Sequence, residues 1–193
     1  MPDPIPYQLT DLDALRALTH PRRQRIIQHL SAHGPATSAS LARDLGLNTG
    51  ATSYHLRELA RYGFVEEAPD RPHGRERWWR VVRRDLRFPR RSEQTPEMRP
   101  VVDEVNRLAF AEDLEAFTRA LAEQAAGDEW ADAFPFSRST LNLTFFELLA
   151  FFEDYIALVN SYKRPQGEAP RPDARPVLAR FLAFPAPAAA REE

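Results

Sequence analysis

The stretch SASLARDLGLNTGATSYHLRELARYG, Ser38 to Gly63, limits the possible folds more tightly than any other part of this chain. Thr37 or Ser38 caps a short helix whose apolar side is Leu41, Ala42 and Leu45, and Gly46 stops it. Asn48 caps a second, longer helix. Only Gly46 to Asn48 separates the two, which is the connection length of a helix-turn-helix.

The second helix begins with Thr49, Thr52, Ser53, Tyr54 and His55, residue types that compete with the backbone for hydrogen bonds and lower helix propensity. At about 100° per residue, Thr52, Leu56, Leu59 and Gly63 fall on one side. Gly50, Tyr54, Arg57 and Arg61 fall on the other, with Ser53 at the flank. An outward face with small residues near its N-terminus, an aromatic hydroxyl and two guanidinium groups can approach a major groove and reach base edges and phosphates. Asn48, Thr49, Gly50, Ser53, Tyr54, Arg57 and Arg61 are therefore candidate DNA contacts. His55 is a further candidate, although it lies nearer the core edge and a structural role is equally open.

Elements on either side fit the same domain. Thr10 with Asp13 opens a helix through Leu12, Leu15 and Leu18, and Pro21 stands where the next helix begins. That helix turns Ile26, Ile27 and Leu30 inward and ends at Gly34-Pro35. After Gly63 come FVEEA and RERWWRVV, both strand-like, around the turn residues PDRPHG. The pattern predicts a β-hairpin wing over residues 64–82, with Arg71, His73, Arg75 and Arg77 as donors for phosphate or a minor groove.

LRALTHPRRQRIIQHL, SLARDLGLNTGATSYHLRELARYGFVEE and GRERWWRV, in that order, resemble the winged helix-turn-helix domain of the ArsR-like transcriptional regulators over roughly residues 10–88. The resemblance implies that Thr49, Gly50, Ser53, Tyr54 and Arg57 touch bases and nearby phosphates, with Arg75 and Arg77 on the wing. The thiol motif of the metal-sensing members is absent, because the chain has no cysteine, so metal sensing does not carry over.

Charge separates the two halves. Residues 1–92 hold 16 Arg against 10 Asp and Glu, and residues 93–193 hold 10 Arg and Lys against 18 acidic residues. A basic half suits a polyanion and an acidic half is repelled by one, so the expected division is a DNA-binding domain with its N-terminal arm and an arginine-rich hinge at 1–92, and a second domain at 93–193. Thr95-Pro96-Glu97 and Pro100 mark the start of a long helix suited to dimerisation, with Val101, Val105 and Leu108, then Phe110, Leu114, Phe117 and Leu121, at helical spacing. Phe136–Leu143 and VLARFLAF read as strands that could pair, around a helix that the capping box Thr144/Glu147 opens. The fold class expected is α+β: an N-terminal winged helix-turn-helix, a long dimerisation helix, and a small α+β C-terminal domain with a loose tail.

No enzyme constellation can be assembled. His29 and His33 stand i, i+4 without an intervening glutamate base, and Glu66-Glu67 and Glu153-Asp154 are adjacent solvated carboxylates. All five histidines precede residue 74, so neither a metal nor another cofactor is expected. No apolar run spans a bilayer and no signal peptide opens the sequence, pointing to a cytoplasmic protein. The function expected is sequence-specific regulation of transcription by a homodimer on an inverted repeat of double-stranded DNA, through recognition helix 49–62 and wing 64–82. The alternative is a winged-helix protein-interaction module that binds no operator. Phe117, Phe145, Phe151, Phe152, Tyr155 and Tyr162 would suit a small apolar or aromatic effector, against the simpler reading that they fill a core and a dimer interface.

Overall fold

The computed structural model describes residues 6–68, 76–124, 127–163 and 171–187. Its contacts divide it into two units, Met1–Pro135 and Phe136–Glu193.

The first unit begins with β1 (Tyr7–Gln8), α1 (Leu12–Leu18), α2 (Pro21–His33), β2 (Ala36–Thr37), α3 (Ser38–Asp44) and α4 (Thr49–Arg61). It continues with β3 (Val65–Glu67), β4 (Trp78–Val81), β5 (Leu86–Arg87), α5 (Met98–Ala122) and a one-turn 3-10 helix at Glu129–Asp132. The cap of α1 is Asp11 rather than Thr10: its side chain accepts from the Asp13 N–H at 2.9 Å. His20 caps α2 through Nδ1, at 3.2 Å from the Arg22 N–H, with Pro21 in the first turn where its missing N–H costs nothing. Thr37 and Ser40 form a capping box on α3.

The wing is the predicted hairpin enlarged by one strand. β3 pairs antiparallel with β4, Val65 opposite Val81, and β4 pairs on its other side with β2, Ala36 opposite Trp79. Buried Trp79 thereby ties the wing to the entry of the helix-turn-helix. Leu15, Ile26, Leu41, Leu56 and Leu59 form the centre of the core, all fully buried. β1 pairs in parallel with β5, securing the N-terminal arm to the segment after the wing.

The arginine-rich segment 83–94 is a tethered strap and not a hinge. Arg84 donates to the Gly63 carbonyl and lies 4.6 Å over the Tyr7 ring. Buried Gln94 donates to the Pro89 carbonyl at 2.8 Å, and Phe88 packs on the core. The contacts of the chain divide after Pro135. Met98, Val102 and Val105 on the first half of α5 are buried in the winged-helix core, a stripe that shares Val105 with the expected Val101/Val105/Leu108 but is set three residues earlier.

In the second unit, α6 (Phe145–Tyr162) starts at the predicted capping box: Thr144 N–H donates to Glu147 at 2.7 Å and Glu147 N–H to the Thr144 hydroxyl at 3.3 Å. The two strands expected beside it, Phe136–Leu143 and Val177–Phe184, are a correction. Both lie outside regular structure, because alternation supplies a face but not a partner, and no described segment offers either one a hydrogen-bonding ladder. Among the described residues, no side chain of this unit is buried. No described helix is long and apolar enough to cross a membrane.

Candidate nucleic-acid interface

Helix α4 is locked on one side and free on the other. Thr52, Leu56 and Leu59 are wholly buried, and the Thr52 hydroxyl donates to the Asn48 carbonyl at 3.0 Å, returning its polar tip to the backbone. Asn48 Oδ1 accepts from the Ala51 N–H at 2.7 Å, so its oxygen serves the helix and only its amide NH₂ group faces outward chemistry. Thr49, Gly50, Tyr54, Arg57 and Arg61 are exposed and Ser53 is half-buried. Tyr54, at 52% exposure, is a large aromatic residue held out in solvent. A Cβ at Gly50 would meet only Asn48 Oδ1, at 3.5 Å, so packing within the chain does not require glycine there. Glycine leaves the backbone at the start of α4 open to close approach from outside.

His55 is a correction to the DNA-contact set. Its ring is 4% exposed, turned beneath α4 with its centroid 4.5 Å from that of His20. Burial first, then the positive charges of His20, Arg23 and Arg22, hold its pKa down at about 4. The imidazole is neutral at pH 7 and supports α4 from inside. Helical periodicity could not settle this, because a residue at the stripe's edge is assigned by what packs below it.

On the wing, Arg77 pairs with Glu67 at 3.0 Å and Arg80 with Glu66 at 2.8 Å. The first pair is exposed, with 71% of the Arg77 side chain accessible, so it holds the guanidinium weakly and leaves it available to a phosphate. Arg71, His73 and Arg75 lie outside the described residues. Between the wing base and the helix-turn-helix runs a groove of about 410 Å³, lined in part by Ser38, Thr49, Ser53, Arg57, Glu76 and Arg77. Thr37 and Trp79 also line it. Ser38 and Glu76 were not legible as site residues, since the β2–β4 pairing that brings α3 beside the wing has no local signature.

The histidines on α2 stand with their rings 4.6 Å apart, and His29 Nε2 is 3.6 Å from Asp44. Among the described residues, no three potential ligands gather as a metal site. The aromatic candidates divide between the units. Phe117 belongs to the first and is 46% exposed, in a row with Phe110, Leu114 and Leu121 at 44%, 66% and 44%. In the second, Phe151, Phe152 and Tyr155 surround Phe181 at centroid distances of 5.5, 5.8 and 4.7 Å. Phe145 packs on Phe146, and Tyr162 is 82% exposed.

Residues 18–68 match a family model described as a helix-turn-helix domain, and that segment is a helix-turn-helix domain in this chain. Solved structures show similarity at low identity. One is the homodimeric winged helix-turn-helix DNA-binding domain of a possible ArsR-family transcriptional regulator from Mycobacterium bovis, with 21% identity over 58% of this chain and 83% of that one and a TM-score of 0.33. Another is a transcriptional regulator from Thermotoga maritima, with 15% identity over 78% of this chain and 88% of that one and a TM-score of 0.32. Scores this low establish no common overall arrangement. No curated protein matches the sequence.

Proposed function

We propose that this chain is a sequence-specific DNA-binding regulator of transcription that acts as a homodimer on an inverted-repeat operator. The observation that carries the proposal is the solvent face of α4, where Gly50, Tyr54, Arg57 and Arg61 stand outward in one row while Thr52, Leu56 and Leu59 anchor the opposite side. Of its side chains, Tyr54 is suited to base edges and Ser53 and Arg57 to base edges or phosphate, and Arg77 with the rest of the wing is suited to the backbone. A protein-interaction module has no need of guanidinium groups beside hydroxyls at the start of an exposed helix.

The homodimer is supported by α5. Phe110, Leu114, Phe117 and Leu121 recur at intervals of four, three and four, the spacing of a coiled-coil seam, on a helix whose first half is fixed in the winged-helix core. A second copy seated on that row places two α4 helices about a two-fold axis, which requires half-sites about 10 bp apart or a multiple of that.

Selection of binding sites from random duplexes, followed by titration at several salt concentrations, tests the proposal. The expected result is a palindromic sequence bound with a log K against log[salt] slope of about -6, for three to four phosphates per protomer. Tyr54→Ala should weaken preference at one or two positions by about 1–3 kcal/mol. Failure to enrich any sequence, or a complex insensitive to salt, overturns it.

A further inference from the structure

The groove between the wing and the helix-turn-helix contains a carboxylate that DNA binding as such does not call for. Ser38 from the start of α3, Thr49 and Ser53 from α4, and Arg57 and Arg77 give it hydroxyls and two guanidinium groups, the chemistry that holds a phosphodiester. None of the three hydroxyls has a hydrogen-bond partner among the described residues, whereas Thr37 beside them is buried and committed to Ser40. Glu76 lines the same groove. It is exposed, and its carboxylate pairs with neither arginine: Arg77 is held by Glu67 across the hairpin, and the Arg57 Nε–H donates to the Ser53 carbonyl at 3.3 Å.

We propose that this groove seats one strand of the DNA backbone and that Glu76 is a specificity-determining residue within it, acting by repelling a phosphate that is not drawn in by correct docking of α4. The inference rests on the DNA-binding function proposed above. In a sequence-independent complex the only attraction is electrostatic, so a fixed negative charge at the seat subtracts directly from it. In the specific complex α4 is held by base contacts, the hydroxyls and Arg57 close on the phosphate, and the carboxylate is displaced toward solvent along the exposed edge of the wing. The same charge therefore costs more on random DNA than on the operator. Arg77 is freed for the backbone only where the gain exceeds its exposed pairing with Glu67.

A like charge about 5 Å from a phosphate in water weakens binding roughly fourfold. Glu76→Gln is thus expected to raise affinity for a random duplex about fourfold and steepen its salt slope by about 1, while affinity for the selected operator changes less than twofold. The specificity ratio falls, and Glu76→Asp retains the wild-type ratio. Ser38→Ala, which removes one neutral donor from the seat, should weaken operator and random duplex alike without altering the salt slope. Equal gains on both DNAs in Glu76→Gln, no gain on either, or a loss confined to operators with one particular base overturn the inference while leaving DNA binding intact. If the wild-type protein binds no duplex at all, it is the proposed function that fails.

Discussion

The two units have similar raw material and opposite outcomes. In the winged-helix unit, Leu15, Ile26, Leu41, Leu56 and Leu59 reach 0% exposure, and even the polar residues Thr52 and His55 are buried. In the second unit α6 carries phenylalanines at positions 145, 146, 151 and 152, yet Phe145 and Phe146 remain 59% and 78% exposed and none of its described residues is buried. Hydrophobic content does not make a core. A core forms where several elements present apolar faces to one another, and the first unit has four helices, a sheet and the start of α5 to do so. A helix apolar nearly all round, with no described strand beside it, is shaped for surroundings its own chain does not supply. The row on the second half of α5 repeats this condition within the first unit.

That contrast can be tested by truncation. Leu59→Ala on α4 should lose about 2–5 kcal/mol of unfolding free energy, whereas Phe146→Ala on α6 should stay within about 0.5 kcal/mol in a dilute, monomeric sample. Denaturant titrations of both variants measure the difference, and comparable losses would erase the distinction between the units. If the chain dimerises as proposed, charges placed in the α5 row should have the next largest effect. Leu114→Asp with Phe117→Asp should raise the dimer dissociation constant at least about 100-fold, close to 3 kcal/mol, with circular dichroism unchanged. Sedimentation showing an intact dimer would mean that this row faces something else.

A pH titration examines the buried side of the comparison. The pKa of His55 is held at about 4 in the folded protein, below the ordinary value of 6.5, so between those values the unfolded chain binds more protons than the folded one. The stability that this group contributes is complete above pH 6.5 and is lost as pH falls toward 4, by about 2 kcal/mol between pH 7 and pH 5. Burial also lowers the pKa of His20 and His29, which act in the same direction. His55→Gln should flatten the profile over that interval. The smallest effect concerns the cap of α6. Thr144→Ala should cost about 1 kcal/mol, registered as faster amide exchange at the start of α6 and not as a shift in the winged-helix melt. A single transition displaced as a whole would show the two units unfolding together.

What could be read from the sequence follows a physical boundary. Caps, stops and turns are settled by residues within three or four positions of one another, and most of these were legible: Asn48 before α4, the start of α3 at Thr37 or Ser38, and the Thr144/Glu147 box were placed by local chemistry alone. The outward face of α4 was equally accessible, since helical geometry fixes which side chains share a side once the buried leucines are known. Tertiary structure decided what depended on a distant partner. His55 is buried because His20, 35 positions earlier, packs against it. The segments 136–143 and 177–184 are not strands because no described ladder meets them, and the start of α5 belongs to the winged helix because Met98, Val102 and Val105 close its core. Glu76 and Ser38 share a groove only because β2 pairs with β4. A local pattern specifies a conformation and a face, but the free energy of burial belongs to the pair of surfaces that meet, and one of those surfaces is always elsewhere in the chain or on another molecule.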